Sequence, residues 1–240
     1  MARDQFRFKQ FSISQDRCAM KVGTDGVLLG AWAAVGNSQT ILEIGTGTGL
    51  IALMLAQRSH AEIDTVELDL AAYDQALENI ANSPWSDQIH IHHCAIQDYP
   101  QTGQKFYDLI VTNPPFFKDI FKSPDPGRCL ARHGDRLSQD DLLKTAKSWL
   151  NSSGRLIVIY PIELAQQFLQ KVEALGFFYL KKLWVIPVEH QPAKRILLEL
   201  GQVRTLSEEI SITIRLDQPI NQHIYTHEFM TLTEDFYLKF

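Results

Sequence analysis

The sequence has no apolar run long enough to cross a bilayer. Its longest, Val27 to Val35 and Leu156 to Ile162, fall well short of the about 18 residues a span requires. Cysteine is scarce: Cys18, Cys94 and Cys129 are odd in number and far apart, which excludes a disulfide framework. Arg3, Asp4, Arg7 and Lys9 interrupt the N-terminus where a secretory signal needs its apolar stretch, so a reducing, cytoplasmic setting is expected and no membrane contact. Positive charge is also in deficit, 23 Lys and Arg against 28 Asp and Glu, and a net charge of −5 excludes a uniformly basic surface. Any face for nucleic acid must be local. His90, His92 and His93, or His223 and His227, sit close in sequence, but no cysteine or carboxylate completes a familiar ligand spacing, so no metal is expected. Repeats and low-complexity tracts are missing too.

What is present is ordinary globular composition, 45% apolar and 21% charged over 240 residues, enough for one substantial core. One domain is expected, with residues 1–36 as an N-terminal flap on a core spanning 37–240. β-branched apolar stretches alternate with stretches of helical period: strands at 39–44, 63–68, 88–93, 106–112 and 155–160, and helices at 49–58, 70–82, 140–150 and 163–175. This order predicts an α/β fold with a mostly parallel, doubly wound sheet of the Rossmann-like kind. Segments 183–188, 195–203 and 210–216 read as strands with no helix between them, so antiparallel strands should close the C-terminal edge. In the flap, Phe6 to Ile13 alternates apolar with polar residues, Gly23 to Gly26 reads as a turn, and Asn151 to Gly154 reads as another.

The first strand ends in Leu42-Glu43-Ile44-Gly45-Thr46-Gly47-Thr48-Gly49 and opens a helix. Glycine at every second position lets the backbone turn sharply and a ligand approach without Cβ interference, and a helix N-terminus offers free N–H groups. The next strand ends at Glu67, about 20 residues on, where a carboxylate conventionally accepts hydrogen bonds from ribose hydroxyls. A nucleoside-containing cofactor follows. The spacing is G-x-G-x-G, whereas the pyrophosphate of NAD favours G-x-G-x-x-G. Glu43 would repel a pyrophosphate but suits the ammonium of a methionine tail, so S-adenosylmethionine is favoured; a role for Glu43 in capping N–H groups of the turn weighs about equally.

The fourth strand breaks at Asn113-Pro114-Pro115-Phe116-Phe117. In an open α/β sheet that end faces the same crevice as the glycine turn. Two prolines stiffen the loop, so the Asn113 side chain and the Pro114 carbonyl can present fixed acceptors to the two hydrogens of an exocyclic amine while Phe116 stacks on its ring. Held this way the nitrogen is biased toward tetrahedral geometry and its lone pair is freed toward a methyl sulfonium, with no strong general base needed.

Asn113-Pro114-Pro115-Phe116 resembles the Asn/Asp-Pro-Pro-aromatic signature of the Rossmann-like methyltransferases that modify exocyclic amino nitrogens. Their cofactor loop is similar to Glu43, Gly45, Gly47 and Gly49 here and their ribose-binding acid to Glu67; Asp98 stands where they place an acid near the cofactor adenine. The segment Lys21 to Trp32, with Ala131-Arg132-His133 and Pro192-Ala193-Lys194-Arg195, narrows the resemblance to the bacterial family that methylates N6 of the adenine beside the anticodon of valine tRNA. By that resemblance Thr24 and Asp25 help cover the cofactor, and the similarity spans nearly the whole chain.

Between Lys118 and Arg136, Lys118, Lys122, Arg128, Arg132 and Arg136 outnumber Asp119, Asp125 and Asp135, directly after the amine-binding turn. Phosphate contacts there, with Lys194 and Arg195, would position a tRNA anticodon loop whose unpaired adenine costs little to extrude. Ordinary solvation of mixed charges weighs equally for any single residue. Competing substrates are a guanine N2 of rRNA and the glutamine amide of a release factor; Phe116 mildly disfavours the latter, whose family usually carries Tyr. A nucleotide- or RNA-binding module without turnover is the rival from another class. A monomer or weak dimer is expected.

Overall fold

A computed structural model describes residues 5–100, 105–115, 137–217 and 224–239. The chain opens with two short antiparallel strands, β1 (Gln5–Arg7) and β2 (Ser12–Ser14), followed by helix α1 (Thr24–Trp32). It then alternates through β3 (Thr40–Ile44), α2 (Leu50–Arg58), β4 (Glu62–Glu67), α3 (Leu70–Ala81), β5 (Ile89–His93) and β6 (Tyr107–Thr112). After α4 (Gln139–Trp149), β7 (Leu150–Pro161) and α5 (Ile162–Val172) come β8 (Phe178–Val188), β9 (Arg195–Gly201) and β10 (Glu208–Arg215), and a short α6 (His227–Thr233) follows.

The eight longer strands form one sheet in the order β10-β8-β9-β7-β6-β3-β4-β5. Strands β3 to β7 run parallel, as their helical crossovers require. At the C-terminal edge β9 lies antiparallel between β7 and β8, while β10 runs parallel to β8, so β9 carries the reversal of direction. Side chains alternate between the faces: Ile41, Leu109, Val111 and Ile157 enter the core shared with α1, α2 and α3, whereas Leu42, Ile110, Leu156 and Val158 enter that shared with α4 and α5. Both faces are therefore covered, and the central strands read as continuous apolar runs. No helix among the described residues is long and apolar enough to cross a membrane.

Two expected turns are corrected. Gly23 to Gly26 does not punctuate the chain: α1 starts at Thr24 with Gly23 as N-cap, and Gly26 lies inside it. The reason is packing. A Cβ on Gly26 would come within 3.0 Å of Leu50 Cδ2 and one on Gly30 within 2.7 Å of Met54 Sδ, so glycine at these positions brings α1 close onto α2. Asn151 to Gly154 lies within β7, opposite a register shift between Tyr107 and Leu109, where a Cβ on Gly154 would sit 2.8 Å from the Tyr107 carbonyl oxygen. The N-terminal segment contributes Phe8, Phe11, Ile13, Val27, Leu28 and Leu29 to the buried core.

Candidate active site

Strand order reverses beside β3: the chain proceeds from it to β4 and β5 on one side and returns to β6 on the other. Crevices open at the carboxyl ends of strands at such a point. Ile44 pairs with Val66 and with Thr112, so the residues that follow, Gly45, Glu67 and Asn113, come side by side. Thr112 Oγ1 donates to the Ile44 carbonyl at 2.8 Å, tying the two strand ends together.

Gly45, Gly47 and Gly49 have φ of 76°, 57° and 82°, a region L side chains rarely adopt. A Cβ on Gly45 or Gly47 would meet nothing within 4 Å, so both face open space, whereas one on Gly49 would lie 3.6 Å from Ala76 and Ile80 of α3. The turn is held by its own backbone, with Gly45 N and Thr46 N donating to the Val66 carbonyl at 2.9 and 3.2 Å. Two carboxyl groups brace it. Glu67 accepts from Gly47 N at 2.8 Å on one oxygen and from Leu68 N and Asp69 N at 2.9 and 3.0 Å on the other. Glu43 is fully buried and accepts from the Thr46 hydroxyl at 2.6 Å and from Ala52 N, in the first turn of α2, at 3.1 Å. These are the bonds of the capping role. Burial pushes the Glu43 carboxyl up to about 8, against the lowering effect of the Thr46 and Ala52 hydrogen bonds, with the Glu67 charge adding to the rise.

The crevice, about 350 Å3, is lined by Gly45, Gly47 and Thr48 of the glycine turn, by Lys21, Thr24 and Asp25 at the approach to and start of α1, and by Asn113. Asn113 Oδ1 is buried and has no hydrogen-bond partner among the described residues. A buried acceptor in that state costs about 1–3 kcal/mol unless a ligand supplies the donor. Pro114 beside it is buried. Asp25 accepts from Arg195 Nε at 2.8 Å, an ion pair between the start of α1 and the start of β9. Lys194 is exposed and its backbone pairs with Val185. Asp98 is exposed in a single 3-10 turn after β5 and does not line the crevice. Phe116, Lys118, Lys122, Arg128 and Arg132 lie outside the described residues.

A second cavity, about 390 Å3, lies by Glu62 at the amino end of β4, lined by His60, Trp85 and Asp87. It is the larger of the two, yet neither the glycine turn nor the unpartnered Asn113 borders it.

Sequence reading missed Met20, Lys21, Gln75 and Asn79. The first two line the crevice; the others bond the segment that carries them. A signal for the last two existed: Ala72, Gln75, Ala76, Asn79 and Ile80 form the buried stripe of α3 at helical spacing, and two carboxamides in such a stripe demand partners.

A methyltransferase small-domain family model matches residues 22–175. The chain is 52% identical to a tRNA1(Val) (adenine(37)-N6)-methyltransferase of Trichodesmium erythraeum, with all of both chains covered. It is 43% identical to a protein of the same name in Parabacteroides distasonis, again over the full length of both. Among solved structures, a protein described as a predicted O-methyltransferase from Agrobacterium tumefaciens shares the fold with a TM-score of 0.68 at 18% identity, covering 88% of this chain and 96% of that one.

Proposed function

This chain belongs to the tRNA1(Val) (adenine(37)-N6)-methyltransferase family, and from that premise we propose that it methylates the N6 amine of adenine 37, beside the anticodon of valine tRNA, using S-adenosylmethionine. The observation that carries the reading is the buried Asn113 Oδ1, without a partner among the described residues, next to an open glycine turn. The crevice fits the cofactor: its volume falls in the range of small-molecule sites, and the space a Cβ would fill at Gly45 and Gly47 is left free. Gly45, Gly47 and Glu67 would hold it from the sheet side and Thr24 and Asp25 from the α1 side, with Glu43 and Gly49 keeping the turn in shape and Asp98, exposed beyond the crevice lining, meeting the adenine end from outside it. When bound, it supplies a methyl carbon on a positively charged sulfur.

The chain's own residues prepare the acceptor. Asn113 Oδ1 accepts one hydrogen of the amine and the Pro114 carbonyl the other, which draws the nitrogen out of conjugation with its ring and frees the lone pair. Phe116 offers a face for the ring. The N–H bonds stay intact until the nitrogen has taken up the methyl group; the surplus proton then passes to solvent, so no side chain has to act as a strong base. Lys118, Lys122, Arg128 and Arg132, with Lys194 and Arg195, supply cations for the phosphates of a splayed anticodon loop in a chain of net negative charge. The setting is the cytoplasm, and the working unit a monomer or weak dimer.

The test is transfer of labelled methyl groups from S-adenosylmethionine into unmodified tRNA, rRNA and release factor, with the labelled nucleotide mapped by digestion and mass spectrometry. Label at adenine 37 of valine tRNA is the expected result. Label at a guanine N2 or a glutamine amide replaces the substrate, and cofactor binding with label in none of the three leaves a binding module.

A further inference from the structure

Between β2 and α1 the chain crosses α3 and brings Met20 and Lys21 to the crevice wall. Carboxamides hold it there. Asn79 Oδ1 accepts from Ser14 N at 2.9 Å, and Asn79 Nδ2 donates to the Ser14 carbonyl at 2.9 Å and to the Thr48 carbonyl at 2.9 Å. Gln75 Oε1 accepts from Arg17 N at 3.2 Å, and Gln15 Oε1 accepts from Val22 N at 2.8 Å. Asn79 and Gln75 are 4% and 0% exposed, so these bonds are made away from competing water.

A carboxamide that meets one residue with both its acceptor and its donor grips the backbone as a neighbouring strand does. Asn79 grips Ser14 in this way and gives the second hydrogen of its Nδ2 to Thr48. That carbonyl lies between Gly47 and Gly49, both at positive φ, and Gly47 and Thr48 line the crevice. One side chain thus fastens the two walls of the cofactor site to each other.

We propose that Asn79 is a positioning residue that couples docking of the 14–22 segment on α3 to the shape of the glycine turn, so that tight binding of S-adenosylmethionine depends on this clasp. The inference rests on the methyltransferase reading above. With the clasp closed, the Thr48 peptide is fixed and Lys21 is held in the crevice wall. With it broken, both walls gain freedom that cofactor binding has to remove again.

The test compares Asn79→Asp with Leu143→Ala in α4, a buried truncation on the opposite face of the sheet. The aspartate keeps the acceptor for Ser14 N, loses both donations and sets a carboxylate against two carbonyl oxygens. Well below Tm, Asn79→Asp is expected to raise the S-adenosylmethionine dissociation constant by about tenfold. Trypsin should cut after Arg17 and Lys21 faster by about the same factor. Leu143→Ala should leave both readings within about twofold, although it also costs stability. In transfer assays the KM for the cofactor rises while kcat at saturation stays within about threefold. Gln75→Met, which removes the acceptor of Arg17 N but leaves the Arg17–Glu78 ion pair and the glycine turn untouched, should move affinity and cleavage the same way by about threefold, and its reading stands if Asn79→Asp does not fold. Wild-type affinity in a folded Asn79→Asp chain, or no change in Gln75→Met where the aspartate variant does not fold, overturns the clasp and leaves the methyltransferase reading standing. A wild-type chain that binds no S-adenosylmethionine overturns both.

Discussion

Two buried polar sites, one around Asp64 within β4 and one at Asn113 after β6, are built to opposite ends. Beneath the amino half of the sheet, Asp64 accepts from Lys105 Nζ at 2.6 Å and from Tyr107 OH at 2.7 Å, with His92 Nε2 at 3.4 Å. Tyr99 OH closes the set, 3.3 Å from Tyr107 OH and 3.4 Å from His92, and its ring stacks on Trp149 at 5.2 Å. Burial opposes the charge on Asp64, but the Lys105 and Tyr107 hydrogen bonds and the Lys105 charge outweigh it and hold the carboxyl below its usual range. At the carboxyl end of the sheet, Asn113 has its acceptor buried and unmatched among the described residues. A satisfied network rigidifies a core, whereas an open valence in a crevice is a place for something else to bind. The number of polar atoms does not separate the two sites; whether each one is answered does.

Asn113→Ala gives the largest effect. With the acceptor gone, methyl transfer should fall at least about a hundredfold while cofactor affinity stays within about threefold, because the amine is no longer held for attack. Isothermal titration beside single-turnover transfer separates the two quantities, and equal loss of both breaks the division between the Asn113 wall and the glycine turn. Asp64→Ala is the mirror experiment. It strands Lys105 and Tyr107 and should cost about 3 kcal/mol of stability in urea unfolding, at the low end for a broken buried pair since Lys105 is a third exposed. Cofactor affinity should not change; if it does, the cluster belongs to the site.

Glu67 stands between these cases because its carboxylate already answers three backbone N–H groups. Glu67→Ala should weaken cofactor binding by about 1–3 kcal/mol, through lost ribose contacts and a loosened Gly47. Unchanged affinity in titration removes Glu67 from the site and makes it a brace only.

Much of this contrast could be read from the chain. The glycine turn and Asn113-Pro114 each follow a β-branched run, and the rule that strand ends share a crevice placed them together before any coordinate. What stayed hidden was of two kinds. Gly26 reads as turn punctuation because a glycine's absent side chain says nothing of the Leu50 atoms it makes room for; only its four-residue spacing from Gly30 in an apolar stretch hinted at a helix face. The Asp25–Arg195 and Asn79–Ser14 contacts join residues 170 and 65 positions apart, which no local period encodes. Helix α6 is too short for a periodic signal and shows itself only through Thr226, whose hydroxyl caps Phe229 N at 3.2 Å.

The smallest effect separates the two braces of the turn. Glu43 keeps its proton in the folded chain up to about pH 8, whereas its ordinary value is 4.5. Between those limits the folded chain holds a proton that the unfolded chain has released. The Glu43 contribution to stability is therefore fully present below the lower limit and is lost as pH rises through the upper one. Within that window the slope is about 1 kcal/mol per pH unit, which in a chain of this size lowers Tm by about 2–4 °C per unit. The quantity to follow is the difference between wild type and Glu43→Gln, whose carboxamide keeps an oxygen for Thr46 and Ala52 but has no proton to lose. That difference should widen in favour of the variant as pH rises. Parallel melting curves for the two proteins across the window would place the Glu43 charge in contact with solvent or a cation, and the turn would then carry an anion facing the crevice rather than a neutral cap behind it.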